Sequence, residues 1–354
     1  MASLKDVKLA VLKAGKATGL FAASTRLRTQ RLLILCYHGI AIEDEHQWNP
    51  CLYIDRGTFR KRLEMLRRGD YRVLPLGEAL RLMNENRLPP RSVVITFDDG
   101  TYDFYVHAYP MLREFEFPVT LYLSSYYCRH QVPVFNVAWA YMLWKSIGRT
   151  FDATGFAEEG GKFHIGNVEQ WQRIRARTQR HIDERSLSTR EKDELLNELA
   201  GRLGFDISTI RGRRMLQYMS AGEVREMSRG GVDIQLHTHR HRMPRDRELF
   251  RREILDNIRE IRDITGTNAA PAHFCYPSGD WDPSFFPWLE ELGVNSATTC
   301  QPGLAASSTH RFALPRLLDM PTLSSIEFEG WLTGFSGLFP QRDERALYRQ
   351  RQQA

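Results

Sequence analysis

This chain has little cysteine, and what it has builds no site. Its 354 residues hold five cysteines (Cys36, Cys51, Cys128, Cys275 and Cys300), odd in number, scattered and without a CxxC pair. That excludes a disulfide framework and a thiolate zinc centre, and fits a reducing compartment. Long apolar runs are missing as well: nothing approaches the roughly 18 uninterrupted apolar residues of a transmembrane helix. The opening stretch, "MASLKDVKLAVLKAGKATGLFAASTRLRTQR", is basic throughout and has no long apolar core. It lacks the layout of a secretory signal, so the expected location is cytoplasmic, including the inner face of the membrane. Internal repeats and low-complexity tracts are absent. The net charge of +6 is too diffuse to build a nucleic-acid surface, and no nucleic-acid partner is expected.

What is present is a globular composition, 42% hydrophobic and 26% charged, sufficient for a substantial core. Short β-prone runs at 31–37, 71–76, 92–97, 118–123, 232–237, 272–277 and 294–299 alternate with stretches of three-to-four-residue apolar spacing, such as "GTFRKRLEMLRRG" and "ELFRREILDNIREIRDITG". Alternation of this kind predicts an α/β fold, a distorted (β/α) barrel of about seven parallel strands. Residues 130 to about 220 break the rhythm with highly charged helical sequence, read as a helical insertion with a solvated face and no chemistry of its own, the alternative being that its basic character helps hold an anionic substrate. The barrel is expected over 31–325. A basic helix precedes it over 1–30, with Leu4, Val7, Val11 and Ala14 along one stripe, suited to docking or to peripheral membrane association. A helical tail follows over 326–354.

Chemistry concentrates in two places. "VVITFDDG" at 93–100 runs a strand straight into Asp98, Asp99 and a glycine. A barrel places its site at such strand ends, where adjacent carboxylates can take different roles, one on a metal and one free as a base. An Asp-Asp-Gly sequence also suits a plain turn. The second place is "VDIQLHTHRHRMP", with His237, His239 and His241 closing another strand. The HxxxH pair His237 and His241, with a carboxylate, makes a site suited to zinc and similar divalent ions. His239, between them, is expected to face outward.

With these two segments the sequence resembles the polysaccharide deacetylases, also called carbohydrate esterase family 4 or the NodB-homology domain. "TFDDG" at 96–100 matches one family motif, and "HTHRH" at 237–241 matches its H-[ST]-x-x-H motif. The resemblance implies Asp98 as catalytic base, Asp99, His237 and His241 as metal ligands, and Thr238 as a support for the histidine loop. The metal it implies is zinc, with cobalt or nickel also compatible. The family usually ends on an apolar strand closing on a histidine that acts as general acid. No such strand is seen after residue 300; "RLLILCYHGI" stands at the front instead. This is similar to the circularly permuted arrangement of poly-N-acetylglucosamine deacetylases and makes His38 the candidate acid, a structural histidine being the alternative. His310 and His273 are weaker contenders. In "FCYPSGDW" at 274–281, Cys275 stands where the family carries an arginine, and Ser278 where it carries a tyrosine. Arg316 is the candidate to supply the missing charge from a different strand. Ser278, Tyr276, Trp281, Leu304 and Arg316 complete the substrate-binding set.

The activity so implied is metal-dependent hydrolysis of an N-acetyl group from an amino sugar in a glycan or a lipid-linked glycan precursor. The alternatives are an O-acetyl esterase or another non-peptide amidase on the same site, or a glycan-binding pseudoenzyme.

Overall fold

The structure, a computed structural model, describes residues 4–152, 154 and 161–339. Its frame is an eight-stranded parallel sheet: β1 (Leu33–Tyr37), β2 (Arg72–Val73), β3 (Ser92–Phe97), β4 (Thr120–Leu123), β5 (Asp233–Leu236), β6 (His273–Cys275), β7 (Ser296–Thr298) and β8 (Leu317–Leu318). The spatial order is β7-β6-β5-β4-β3-β1-β8, with β2 beside the first residues of β3. All seven expected strands are present. β1, β3 and β4 are buried at every position, which is why they read as continuous apolar runs rather than alternating ones.

The sheet curls until its ends meet. Leu314 bridges Thr298 of β7 in parallel, and two residues on, Leu317 and Leu318 pair with Leu35 and Cys36 of β1. The strip 314–318 thus closes the distorted barrel. A short strand does follow residue 300, contrary to the sequence reading. It was missed because only two residues pair, and it ends on Asp319 rather than on a histidine.

Helices cover the outside, and several start from a side-chain cap. Asp55 accepts the Thr58 amide ahead of helix Arg56–Arg68, and Ser220 and Glu223 form a capping box ahead of Ala221–Arg229. The core gathers Phe59, Phe97, Phe104, Phe250 and Phe274 with the apolar strand residues. The expected tail is not one: helix Ser325–Leu332 buries Phe328, Trp331 and Leu332 in that core. The rest of the expected tail, 340–354, lies outside the described residues.

The insertion is a helical subdomain with its own core around Trp139, Leu196 and Leu199. It also contains an antiparallel hairpin, Thr150–Asp152 with Lys162–His164, that the sequence reading did not anticipate. Helix Leu4–Ala17 turns a different face inward than expected. Leu12 and Gly15 are buried, while Val7 and Val11 stand 51% and 41% exposed. The side chain of Leu4 lies outside the described residues. Lys8 and Lys16 pair with Glu327 and Glu329 on helix Ser325–Leu332, so the helix docks by charge as well as by packing. No helix among the described residues is long and apolar enough to cross a membrane.

Candidate active site

β1, β3, β4, β5, β6 and β7 all deliver their next residues to one end of the barrel, and the chemistry-bearing side chains collect there. After Phe97 the chain is held to β1 by the Asp98 amide, which donates to the Tyr37 carbonyl at 2.9 Å. It then turns through two left-handed residues, Asp99 at φ 71° and Gly100 at φ 97°. Gly100 has no alternative: a Cβ there would lie 2.3 Å from Leu123 Cδ1. Thr238, His241 and Ser278 also adopt left-handed φ, 58°, 55° and 57°. Non-glycine residues rarely do so, and such strained positions gather at functional sites.

Asp98 lies beneath the site, 2% exposed. Arg316 forks onto it, Nη1 to Oδ1 and Nη2 to Oδ2, both at 2.7 Å. The guanidinium is fixed in turn by Thr96 Oγ1 and the Thr299 carbonyl, each at 3.0 Å. Burial works to raise the Asp98 pKa, but Arg316 overrides it and holds the carboxyl at about 2. Cys275 donates its thiol to Asp98 Oδ2 at 3.3 Å, and Cys36 approaches the same oxygen at 3.7 Å. The arginine absent from position 275 therefore arrives from the closing strip, between β7 and β8. Since Arg316 is fully buried and fully bonded, it positions Asp98 and does not contact substrate, which corrects its inclusion in the substrate-binding set.

Asp99, His237 and His241 offer ligand atoms that all lie within 4.8 Å of one another. Both imidazole Nε2 atoms stand 3.2 Å from Asp99 Oδ1. His237 Nδ1 is 2.9 Å from the Cys275 carbonyl; a proton there leaves the Nε2 lone pair facing Asp99, the tautomer a metal ligand needs. Burial works against charge on His237, yet Asp99 and Asp98 raise its pKa above the ordinary value. The pocket draws positive charge. One carboxylate and two imidazoles fit a borderline divalent ion.

Two supports escaped the sequence reading. Asn257, fully buried on helix Arg247–Thr265, accepts the His237 amide at 3.0 Å and donates to the Leu123 carbonyl and Ser125 Oγ. Asp103 accepts the Ile40 amide at 2.9 Å and so steadies the turn that carries His38. A buried Asn or Asp in amphipathic sequence carries no signal that separates it from a surface one. Thr238 Oγ1 accepts the Arg242 amide, and His239 is engaged with Ser125 Oγ, outside the metal triad.

His38 follows β1 with its Nε2 3.7 Å from Asp98 Oδ2. Burial pulls its pKa below the ordinary 6.5 despite Asp98 and Asp99, so the ring is neutral at pH 7. His273 sits at the start of β6, the opposite end of that strand, and His310 is exposed and stacked on Phe286 at 4.4 Å. Neither reaches the site.

Above these groups opens a cavity of about 420 Å³, lined by His38, Asp99, His241 and Ser278 and walled on one side by the insertion. Of the five side chains assigned to substrate, only Ser278 lines it. Tyr276 is buried and spends its hydroxyl on the Phe312 carbonyl; Trp281 stacks on Phe286; Leu304 packs against the core. Apolar residues close to a motif were drawn into packing instead.

The polysaccharide deacetylase sequence model matches this chain over residues 85–155 and 205–297, on both sides of the insertion. Among curated proteins, a putative polysaccharide deacetylase of Bacillus subtilis is 30% identical over 94 residues, 26% of this chain and 32% of that protein. A poly-beta-1,6-N-acetyl-D-glucosamine N-deacetylase of Staphylococcus aureus is 33% identical over 67 residues, 19% of this chain and 23% of that protein. The chain thus spans a third or less of the length of these relatives. Among solved structures, the Streptococcus pyogenes deacetylase PplD in complex with acetate aligns at TM-score 0.55 and 18% identity, covering 88% of this chain and 99% of that one. IcaB from Ammonifex degensii aligns at 0.53 and 18%, covering 86% and 97%. At such identity the structural likeness is one of fold. Both motif segments fall inside the matched blocks, and the chain belongs to the polysaccharide deacetylase family.

Proposed function

We propose that the protein is a metal-dependent carbohydrate deacetylase that removes an N-acetyl group from an amino sugar in a glycan. The observation that carries this reading is the pairing of a three-ligand cluster, Asp99, His237 and His241, with a separately held, buried carboxylate, Asp98, next to a cavity that Asp99, His241 and His38 line. The activity named for the Staphylococcus aureus relative supports the same chemistry. A divalent ion held by the three ligands, zinc from the donor set, would polarise the acetamide carbonyl and make water acidic enough to attack near neutral pH.

The chain's own groups then move the proton. Water adds to the carbonyl carbon and its proton passes to Asp98. A carboxylate with a pKa near 2 keeps that proton only briefly, so it leaves readily for the departing amine as the C–N bond breaks, through His38 where the ring lies between. The amide of Ser278, on the cavity wall, is the donor assigned to the developing oxyanion. A second reading follows from the Arg316 fork. With both Asp98 oxygens taken and His38 neutral, His38 is itself the base and Asp98 stabilises the imidazolium.

The test combines metal content with acetate release from β-1,6-linked N-acetylglucosamine oligomers. The wild type is expected to hold about one divalent ion and to release acetate. Asp98→Asn should keep the ion and lose turnover, and His237→Ala should lose both. A His38→Gln variant that loses the acid limb of its pH profile assigns His38 as the base. A wild type that retains no ion in the presence of excess zinc defeats the proposal.

A lipid-linked precursor is favoured less than a free glycan. Arg28, at the end of the N-terminal helices, donates to the Ser92 carbonyl at the start of β3, whereas the carboxylates follow its end. A membrane held by those helices would lie roughly 17 Å of strand away from the site.

A further inference from the structure

The insertion walls the cavity with Val137, Ala140, Arg175, Gln179 and Lys192. A second cavity of about 200 Å³ adjoins the first and shares Tyr127, Asn136, Lys192, Arg240 and Arg242 with it. Four cations therefore face one continuous cleft, against two carboxylates on the larger cavity, Asp99 and Asp183. Asp99 belongs to the ligand cluster, and Asp183 accepts the Gln179 amide at 2.8 Å. In the smaller cavity Asp193 is paired with Arg211 at 2.8 Å.

The cations differ in what occupies them. Arg240 is taken up by Glu253 at 2.9 Å and Asp256 at 3.2 Å. Lys192 and Arg242, among the described residues, have no carboxylate within 4.0 Å. Arg242 directly follows the ligand His241, and Lys192 reaches the same cleft from helix Thr189–Leu203 across it. A concave surface with unpaired charge of one sign concentrates ligands of the other. A neutral amino-sugar polymer offers these two side chains hydrogen-bond acceptors but no opposite charge.

We propose that the substrate carries an anionic group, carboxylate or phosphate, next to the N-acetylated sugar, and that Lys192 and Arg242 bind it. This rests on the deacetylase reading and names its substrate class. The helical insertion is thereby a specificity element and not only a solvated addition.

The experiment measures binding by titration calorimetry to the full-length Asp98→Asn protein, and acetate release by the wild type. Three probes are compared: a neutral β-1,6-N-acetylglucosamine tetramer, a hyaluronan tetrasaccharide, and uridine diphosphate N-acetylglucosamine. At low salt, at least one acidic probe should bind about tenfold more tightly than the tetramer, the scale of one charged hydrogen bond. The advantage should shrink as salt is raised and fall to about twofold or less once Lys192→Gln and Arg242→Gln are added. Preference for hyaluronan identifies a carboxylate, and preference for the nucleotide sugar a phosphate. Equal or tighter binding of the neutral tetramer overturns the proposal, as does no binding of either acidic probe, or an advantage that survives the double substitution. Charge-dependent binding without acetate release from any probe would leave the anion site standing and sink the deacetylase reading. Release from the tetramer with no acidic preference would do the reverse.

Discussion

At the scale of single residues, Arg316 and Asp98 form a buried pair whose two members cannot be altered independently. Their attraction has to offset the cost of taking both charges out of water, and removing one partner strands the other. Arg316→Met is therefore expected to destabilise the protein by about 3–5 kcal/mol, read as a lowered urea midpoint. It should also free the Asp98 carboxyl to titrate upward, because burial alone raises it. Arg316→Lys keeps a charge but cannot fork, and should recover part of the stability with turnover still reduced. If Arg316→Lys matches wild-type turnover, the fork does not position the base. The three thiols around this pair come from separate segments, Cys36 from β1, Cys275 from β6 and Cys300 from the loop after β7. Burial drives Cys275 far above its usual value, so it serves as a neutral neighbour that fits where the family arginine is replaced.

At the scale of elements, the turn after β1 depends on a carboxyl that is unfavourable when charged. Burial, with Glu45 nearby, lifts the Asp103 pKa to about 7, against the stabilising amide of Ile40. The folded protein thus binds this proton more strongly than the unfolded chain does, whose aspartate titrates near 3.9. Stability from this group is present below that unfolded value and is lost as pH rises through the folded one. The stability of the wild type relative to Asp103→Asn should accordingly fall between about pH 4 and pH 7 and then level off; a difference that stays flat across that window would refute the assignment. The same turn carries His38, so element and site are coupled through one hydrogen bond. The insertion shows the opposite relation. It was legible as helical from its charged periodicity, but nothing in its sequence says which face meets the cavity, because facing is decided by how its core packs.

At the scale of the whole molecule, the barrel closes through the strip 314–318 and the N-terminal helices seal the other end. Leu12, Phe21 and Phe335 form a small cluster there, separate from the main core. Leu12→Ala should cost about 2–3 kcal/mol, felt locally: protease should release the first residues several-fold faster while acetate release per folded molecule holds. A large fall in activity of the folded fraction would show that the two ends communicate.

What the sequence determined by itself was what depends on local order: seven strands from short β-prone runs, and the Asp98, Asp99, His237 and His241 set from two contiguous motifs at strand ends. Burial on both faces makes such strands legible as runs, and consecutive residues cannot separate in space. The tertiary structure alone decided what depends on distant segments meeting. It brought Arg316 to Asp98 across 218 positions, Asn257 to His237, and Lys192 to the cleft beside Arg242. It also left Tyr276, Trp281 and Leu304 to packing, because an apolar side chain beside a motif is drawn to the core unless the backbone there faces the cavity.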